Sequence, residues 1–214
     1  MTNNKPYMLI TTLLFWGGLW GLLEATLGYI FHLIIPFPGF SGMFMFTIGF
    51  IMMRAVYEKT GEIWAVPALG AIAAAIKAVN FLFPYLPPIK TWNPMVAIML
   101  EACAAAAFLY LAKGRTWESK PLPVLAMTFG YRVVYMALFL VPVFLLIQNG
   151  ILKYGPVIAL RFLFLDSALN GFLVLGFFSV KAVKEKFLTL ARKPIPVFAS
   201  VLVVAAAVFA EYLL

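Results

Sequence analysis

Histidine, cysteine and acidic side chains are scarce in this chain of 214 residues, which has one His, one Cys and eight Asp and Glu. The lone cysteine, Cys103, excludes an intrachain disulfide. It lies among alanines, with no positive neighbour in sequence to activate its thiol. The lone histidine, His32, excludes bis-histidine haem ligation and a His-rich zinc site within the chain. No metal and no cofactor are expected. Gly-rich phosphate loops, a nucleophile elbow and HExxH are all missing, so no catalysis is expected, and an energised process needs a partner. Charged residues make up only 11% of the chain, against about 25% in soluble domains. That excludes a soluble globular enzyme, and the matching excess of apolar residues excludes a disordered chain.

What fills the chain is apolar: 64% hydrophobic residues, 21 of them Phe, and a mean hydropathy of +1.01. A membrane-spanning helix needs about 20 apolar residues. Seven apolar runs can be drawn, at 7–35, 41–57, 63–83, 94–112, 122–147, 156–180 and 195–214. These predict an all-α polytopic membrane protein, a bundle of six to seven transmembrane helices with its N-terminus cytoplasmic. Residues 1–180 read as a six-helix membrane bundle, 181–193 as a basic cytoplasmic linker, and 194–214 as an additional C-terminal transmembrane helix. The first run lacks a small-x-small cleavage site after a short core, so it is expected to remain as a span. Pro36, Pro84, Pro94, Pro121, Pro156 and Pro194 fall at junctions. Pro142 sits deep in the fifth run and predicts a kink. The second run is short, and Arg54 must snorkel to the interface.

The net charge of +8 is distributed as membrane topology rather than as a nucleic-acid face. With alternate loops assigned to opposite sides, eleven Lys and Arg fall on the cytoplasmic side and two, Lys90 and Lys153, on the other. Lys77, Arg132 and Arg161 lie within spans. This bias supports the orientation and the parity of the first six helices, and the chain is expected to be integral to the cell (plasma) membrane. The outer loops are rich in aromatic, Pro and Gly residues: 36–40, 85–93 and 148–155. They read as an interfacial belt with helix breakers or as stiff lids over an outward pocket.

Ionisable residues inside spans carry the strongest local signal. Glu24, Lys77, Glu101, Arg132, Arg161 and Asp166 each cost roughly 2.5–3.5 kcal/mol at the bilayer centre, so each should face the bundle interior and be paired. Three acids meet three bases, which reads either as structural ion pairs or as a site that handles a ligand or ion. By depth, Lys77, Asn80, Glu101 and Arg161 fall in the outer half, Asp166 and Asn170 are central, and Glu24 is near mid-depth. Trp92 sits in the second outer loop above them. The expected substrate-binding set is therefore Glu24, Lys77, Asn80, Trp92, Glu101, Arg132, Arg161, Asp166 and Asn170, with Lys77 and Glu101 as a pair at similar depth. In the first run, Gly17, Gly21 and Ala25 form a small-residue stripe. It suits close helix packing, either within the bundle or against another membrane subunit.

A glycine-striped first helix, a Pro-Gly outer loop at 36–42, a short second helix, Pro67-Ala68-Leu69-Gly70 leading to Asn80, and a fourth helix with embedded Glu101 together resemble a known family. The layout is similar, over roughly residues 7–180, to the substrate-binding S components of energy-coupling factor (ECF) transporters. Members are six-helix bundles whose ligand is enclosed by outer loops and later helices. The resemblance implies a substrate-binding subunit for uptake of a small polar metabolite or vitamin. It would work with a membrane coupling subunit, docked through Gly17, Gly21 and Ala25, and with an ATPase pair, the 36–41 loop serving as lid. The 194–214 segment is an addition to that plan. The alternative class is an ion- or proton-conducting, or anchoring, subunit of a membrane redox complex, in which Glu24, Lys77 and Glu101 form a relay.

Overall fold

The computed structural model describes residues 5–34, 38–83, 85–113 and 115–214. Pro36, Phe37 and Pro84, read above as loop and breaker positions, lie outside the described residues. Among the described residues there is no strand. Six helices are long and apolar enough to cross a membrane: α1 (Pro6–Ile34), α2 (Phe40–Thr60), α3 (Ala65–Leu82), α4 (Ile89–Leu111), α5 (Pro121–Ile147) and α6 (Pro156–Ser179). A basic helix, α7 (Lys181–Arg192), and a shorter apolar helix, α8 (Val197–Leu213), follow. The protein is an all-α polytopic membrane bundle.

Several boundaries differ from the sequence reading. The second helix is not short: α2 runs on to Thr60 and stops at Gly61, which takes a left-handed φ of 71° and returns its N–H to the Tyr57 carbonyl at 2.8 Å. Arg54 accordingly finds partners at the helix end instead of only reaching for water. The fourth helix begins at Ile89, not at Pro94, which lies inside it. Pro94 forfeits a bond to the carbonyl at Lys90, and both residues border a cavity described below. The basic linker expected at 181–193 takes the form of a helix over most of its length. Phe187 turns inward there to meet Trp16 and Phe177 edge-on. Pro142 does not end α5, because a π-helical turn, Met136–Leu140, precedes it and absorbs the misfit of the ring. A second π-helical turn, Glu24–Gly28, interrupts α1.

The small-residue stripe of α1 is used inside the chain. A methyl group built on Gly21 would come within 2.6 Å of Ile76 Cδ1, and one on Gly17 within 2.8 Å of Ile72. Ala25 is buried as well. Gly17 and Gly21 therefore form no open partner face, because α3 already lies against them, as close approach of two helices requires, and Ala25 borders a cavity inside the bundle. On another face of α1, Gly18 receives Val204 of α8, and Ser200 Oγ donates to the Thr11 carbonyl at 2.9 Å. Helix α1 is thus the central strut of the bundle. Trp20, Phe46, Phe50, Leu69 and Ile98 fill the core around it.

The basic stretches meet at one end. Arg54 bonds to Glu58 at 2.5 Å and to Glu118 at 3.1 Å, and Arg192 pairs with Glu58. Lys59 donates to the Lys193 carbonyl at 2.6 Å, and Lys184 lies 4.0 Å from Glu118. Three connections that charge alone assigned to one side are in contact, so the parity of the helices stands.

Candidate functional site

At the opposite end, two cavities sink into the bundle. The larger, of about 520 Å³, lies between α1, α3, α4 and α8 and is lined by Glu24, His32, Lys77, Asn80, Asn93 and Glu211, among others. The smaller, of about 440 Å³, lies under the outer connections and is lined by His32, Lys90, Asn93, Tyr135, Lys153 and Phe162, among others. His32, Lys90 and Asn93 border both.

Local helix geometry builds the larger chamber. Where α3 tightens into a 3₁₀ stretch, Ala78–Leu82, residues three apart come into line. Lys77 and Asn80 then both donate to one oxygen, Glu211 Oε1, at 2.9 and 2.6 Å. Glu211 is only 5% exposed, and its other oxygen, Oε2, makes no hydrogen bond among the described residues. Across the chamber, the π-helical turn of α1 sets Glu24 and Gly28 on the wall. Ser41 Oγ donates to the Gly28 carbonyl at 3.4 Å. Glu24 lies within electrostatic range of both Lys77 and Glu211.

The other expected site residues are not in the chambers. Lys77 pairs with Glu211, so the anticipated Lys77–Glu101 pair is replaced. Glu101 is buried midway along α4, beside Tyr131 and in range of Arg132 and Glu24. Arg132 is wholly buried. Its Nη2 donates to Asn170 Oδ1 at 2.9 Å, and its guanidinium stacks 4.3 Å above the Phe162 ring. Arg161 Nε lies 3.6 Å from Asp166 Oδ1, and Arg161 Nη2 donates to the Pro38 carbonyl, fastening the first outer connection to α6. Gly39, at φ 89°, seats that turn against Asp166, where a methyl group would come within 2.9 Å of Oδ2. Trp92 is half exposed and packs on Phe81, outside both chambers. The nine expected residues thus divide. Glu24, Lys77 and Asn80 line a chamber. Arg132, Asn170 and Glu101 form a polar layer beneath, Arg161 and Asp166 anchor a loop, and Trp92 faces outward.

Glu211 was missed because three acids already balanced three bases within the first six spans, and the last run was read as plain apolar helix. The available signal was a carboxylate near the end of an otherwise apolar segment. Lys90, Asn93, Tyr135 and Lys153 also line the chambers. Tyr135 donates its hydroxyl proton to Asn93 Oδ1 at 2.6 Å. No group of three or more His, Cys, Asp or Glu side chains suited to a metal ion occurs among the described residues. Comparison with family models, with curated proteins and with solved structures finds no match to this chain.

Proposed function

We propose that this protein is a substrate-binding subunit of the plasma membrane that captures a small polar metabolite or vitamin from outside. One observation carries the reading: a chamber of about 520 Å³ with Glu24, Lys77, Asn80 and Glu211 on its walls, at the end of the bundle opposite the basic ion-pair cluster. Its size suits a small molecule, and a few convergent polar groups in a cavity are what fix such a ligand's orientation. The reading extends to an S-component role with a coupling subunit and an ATPase pair. Because α3 covers the stripe of α1, coupling would use a different surface. Native mass spectrometry of the protein, released from its membrane, tests the proposal. A co-purifying small molecule lost in a Glu24→Leu, Asn80→Leu variant supports it, and an empty protein that retains no solute when incubated with a mixture of small polar metabolites refutes it.

One observation favours the second reading, an ion- or proton-conducting subunit of a redox complex. Glu211, Lys77, Glu24, Glu101 and Arg132 form a succession of ionisable groups, each within electrostatic range of the next. A proton leak in protein-loaded vesicles, abolished by Glu101→Leu, would favour this reading over solute binding.

A further inference from the structure

The two outer chambers differ in charge. The larger is lined by two carboxylates, Glu24 and Glu211, with Lys77 beside them and Lys90 on the wall that it shares with the smaller. Lys77 is engaged by Glu211, whose Oε2 is buried with no hydrogen bond among the described residues; the second carboxylate of the chamber, Glu24, demands a further cation or a proton in a membrane interior. The smaller chamber reverses the sign. Lys90 and Lys153 line it, and no acid does so among the described residues.

The two asparagines follow the same polarity. Asn80 spends its amide N–H on Glu211, which leaves its carbonyl oxygen as the acceptor on the acidic side. Asn93 spends its carbonyl oxygen on the Tyr135 hydroxyl, which leaves its amide donors on the wall shared by the two chambers. Acceptors thus gather at one end and donors at the other. Tyr135 and Phe162 supply apolar surface beyond the shared wall.

We propose that the two chambers are halves of one site for a bipolar small molecule, with an ammonium group seated at Glu24 and Glu211 and a carboxylate seated at Lys90 and Lys153. The inference rests on the solute-binding reading and narrows it to a substrate class: compounds with an amine and an acid at opposite ends of a short linker. With Lys90 engaged by the ligand carboxylate, the ligand ammonium balances the carboxylate that Lys77 does not. The rim lysines then hold the acid where water also reaches, so specificity comes mainly from the buried end.

The test is calorimetry on the full chain in lipid nanodiscs, with γ-aminobutyrate and ε-aminocaproate as probes and with butyrate and butylamine as singly charged controls. At least one amino acid should bind about tenfold or more tighter than either control. Glu211→Gln and Lys153→Gln should each weaken it by about tenfold to a hundredfold, as loss of one charge-assisted contact does. Lys153 is exposed, so its variant folds even where that of Glu211 does not. Controls that bind as tightly as the amino acids, or variants that leave affinity unchanged, overturn the bipolar site. The latter result at Glu211 would mean that a proton, not a ligand, balances its charge. Native mass spectrometry on the same sample separates the two levels of failure. A co-purified solute of another class sinks the bipolar site and leaves solute binding standing, whereas no solute and no probe binding removes both.

Discussion

Lys77 and Glu211, 134 residues apart in sequence, meet at 2.9 Å and tie the outer end of α3 to the last helix of the chain. The contact makes α8 part of the larger chamber's wall rather than an appendage to a six-helix bundle. Because this pair borders a cavity, its energetics differ from those of a dry buried pair. Removing one partner of a dry pair strands a charge and costs roughly 3–5 kcal/mol.

Glu211→Gln should therefore cost less, about 1–3 kcal/mol, since water in the chamber solvates Lys77 and the new amide still accepts from Asn80. Lys77→Met combined with Glu211→Gln should recover part of that loss. Chemical unfolding in detergent, run as a double-mutant cycle, measures the coupling. A cost at the dry-pair level would mean that the cavity does not admit water.

The packing of α1 gives a second expectation. Gly21→Leu drives a branched side chain into Ile76 across a helix crossing with no spare room. Overpacking of this kind costs about 1–3 kcal/mol, and the loss should appear in the purified chain with no partner present. A variant as stable as the parent would show that α1 and α3 separate freely, and would return the stripe to the role of a partner surface.

The parity of the helices was legible in the sequence, while the site was legible only in part. Lys and Arg are excluded from one side of a membrane by the energetics of insertion, and that bias is local enough to read loop by loop. The structure meets it with Arg54, Lys184 and Arg192 gathered around Glu58 and Glu118. Pairing of buried charges is different. Which acid meets Lys77 depends on helix order around the bundle, and Glu101 and Glu211 sit on different neighbours of α3. Depth placed Lys77 beside Glu101 equally well, but the packing of α8 on α1 delivered Glu211 instead. The start of α4 was misread for a related reason. Pro94 has the chemistry of a helix start, yet Ile89 to Asn93 fold as helix ahead of it and carry Lys90 and Asn93 to the cavity wall.

Topology yields a third expectation. A single cysteine at Lys90 or Lys153, in a Cys103→Ser background, should react with an impermeant thiol reagent on intact cells, whereas one at Lys184 should not. Lys90 and Lys153 line the outer chamber, and Lys184 lies in the ion-pair cluster at the other end. Labelling at Lys184 alone would invert the orientation and open the chambers to the cytoplasm.

The polar layer under the chambers provides the last test. Arg132 is wholly buried, and one amide, Asn170, takes the single hydrogen bond that its guanidinium makes among the described residues, through Nη2. The cation otherwise rests on the face of Phe162, whose ring also borders the smaller chamber. Asn170→Leu removes that acceptor while the charge stays buried, so it should cost about 1.5–3 kcal/mol, the worth of a hydrogen bond to a charged group. Arg132→Met together with Asn170→Leu replaces both groups by apolar ones of similar size, and much of the loss should return. Thermal unfolding of the two single variants and the double variant reads this directly. Additive losses, with no recovery in the double variant, would show that Arg132 is held by Glu101 and the aromatic rings rather than by Asn170. In that event Glu101 of α4 and the Phe162 ring of α6, rather than the Asn170 amide, hold the cation in place.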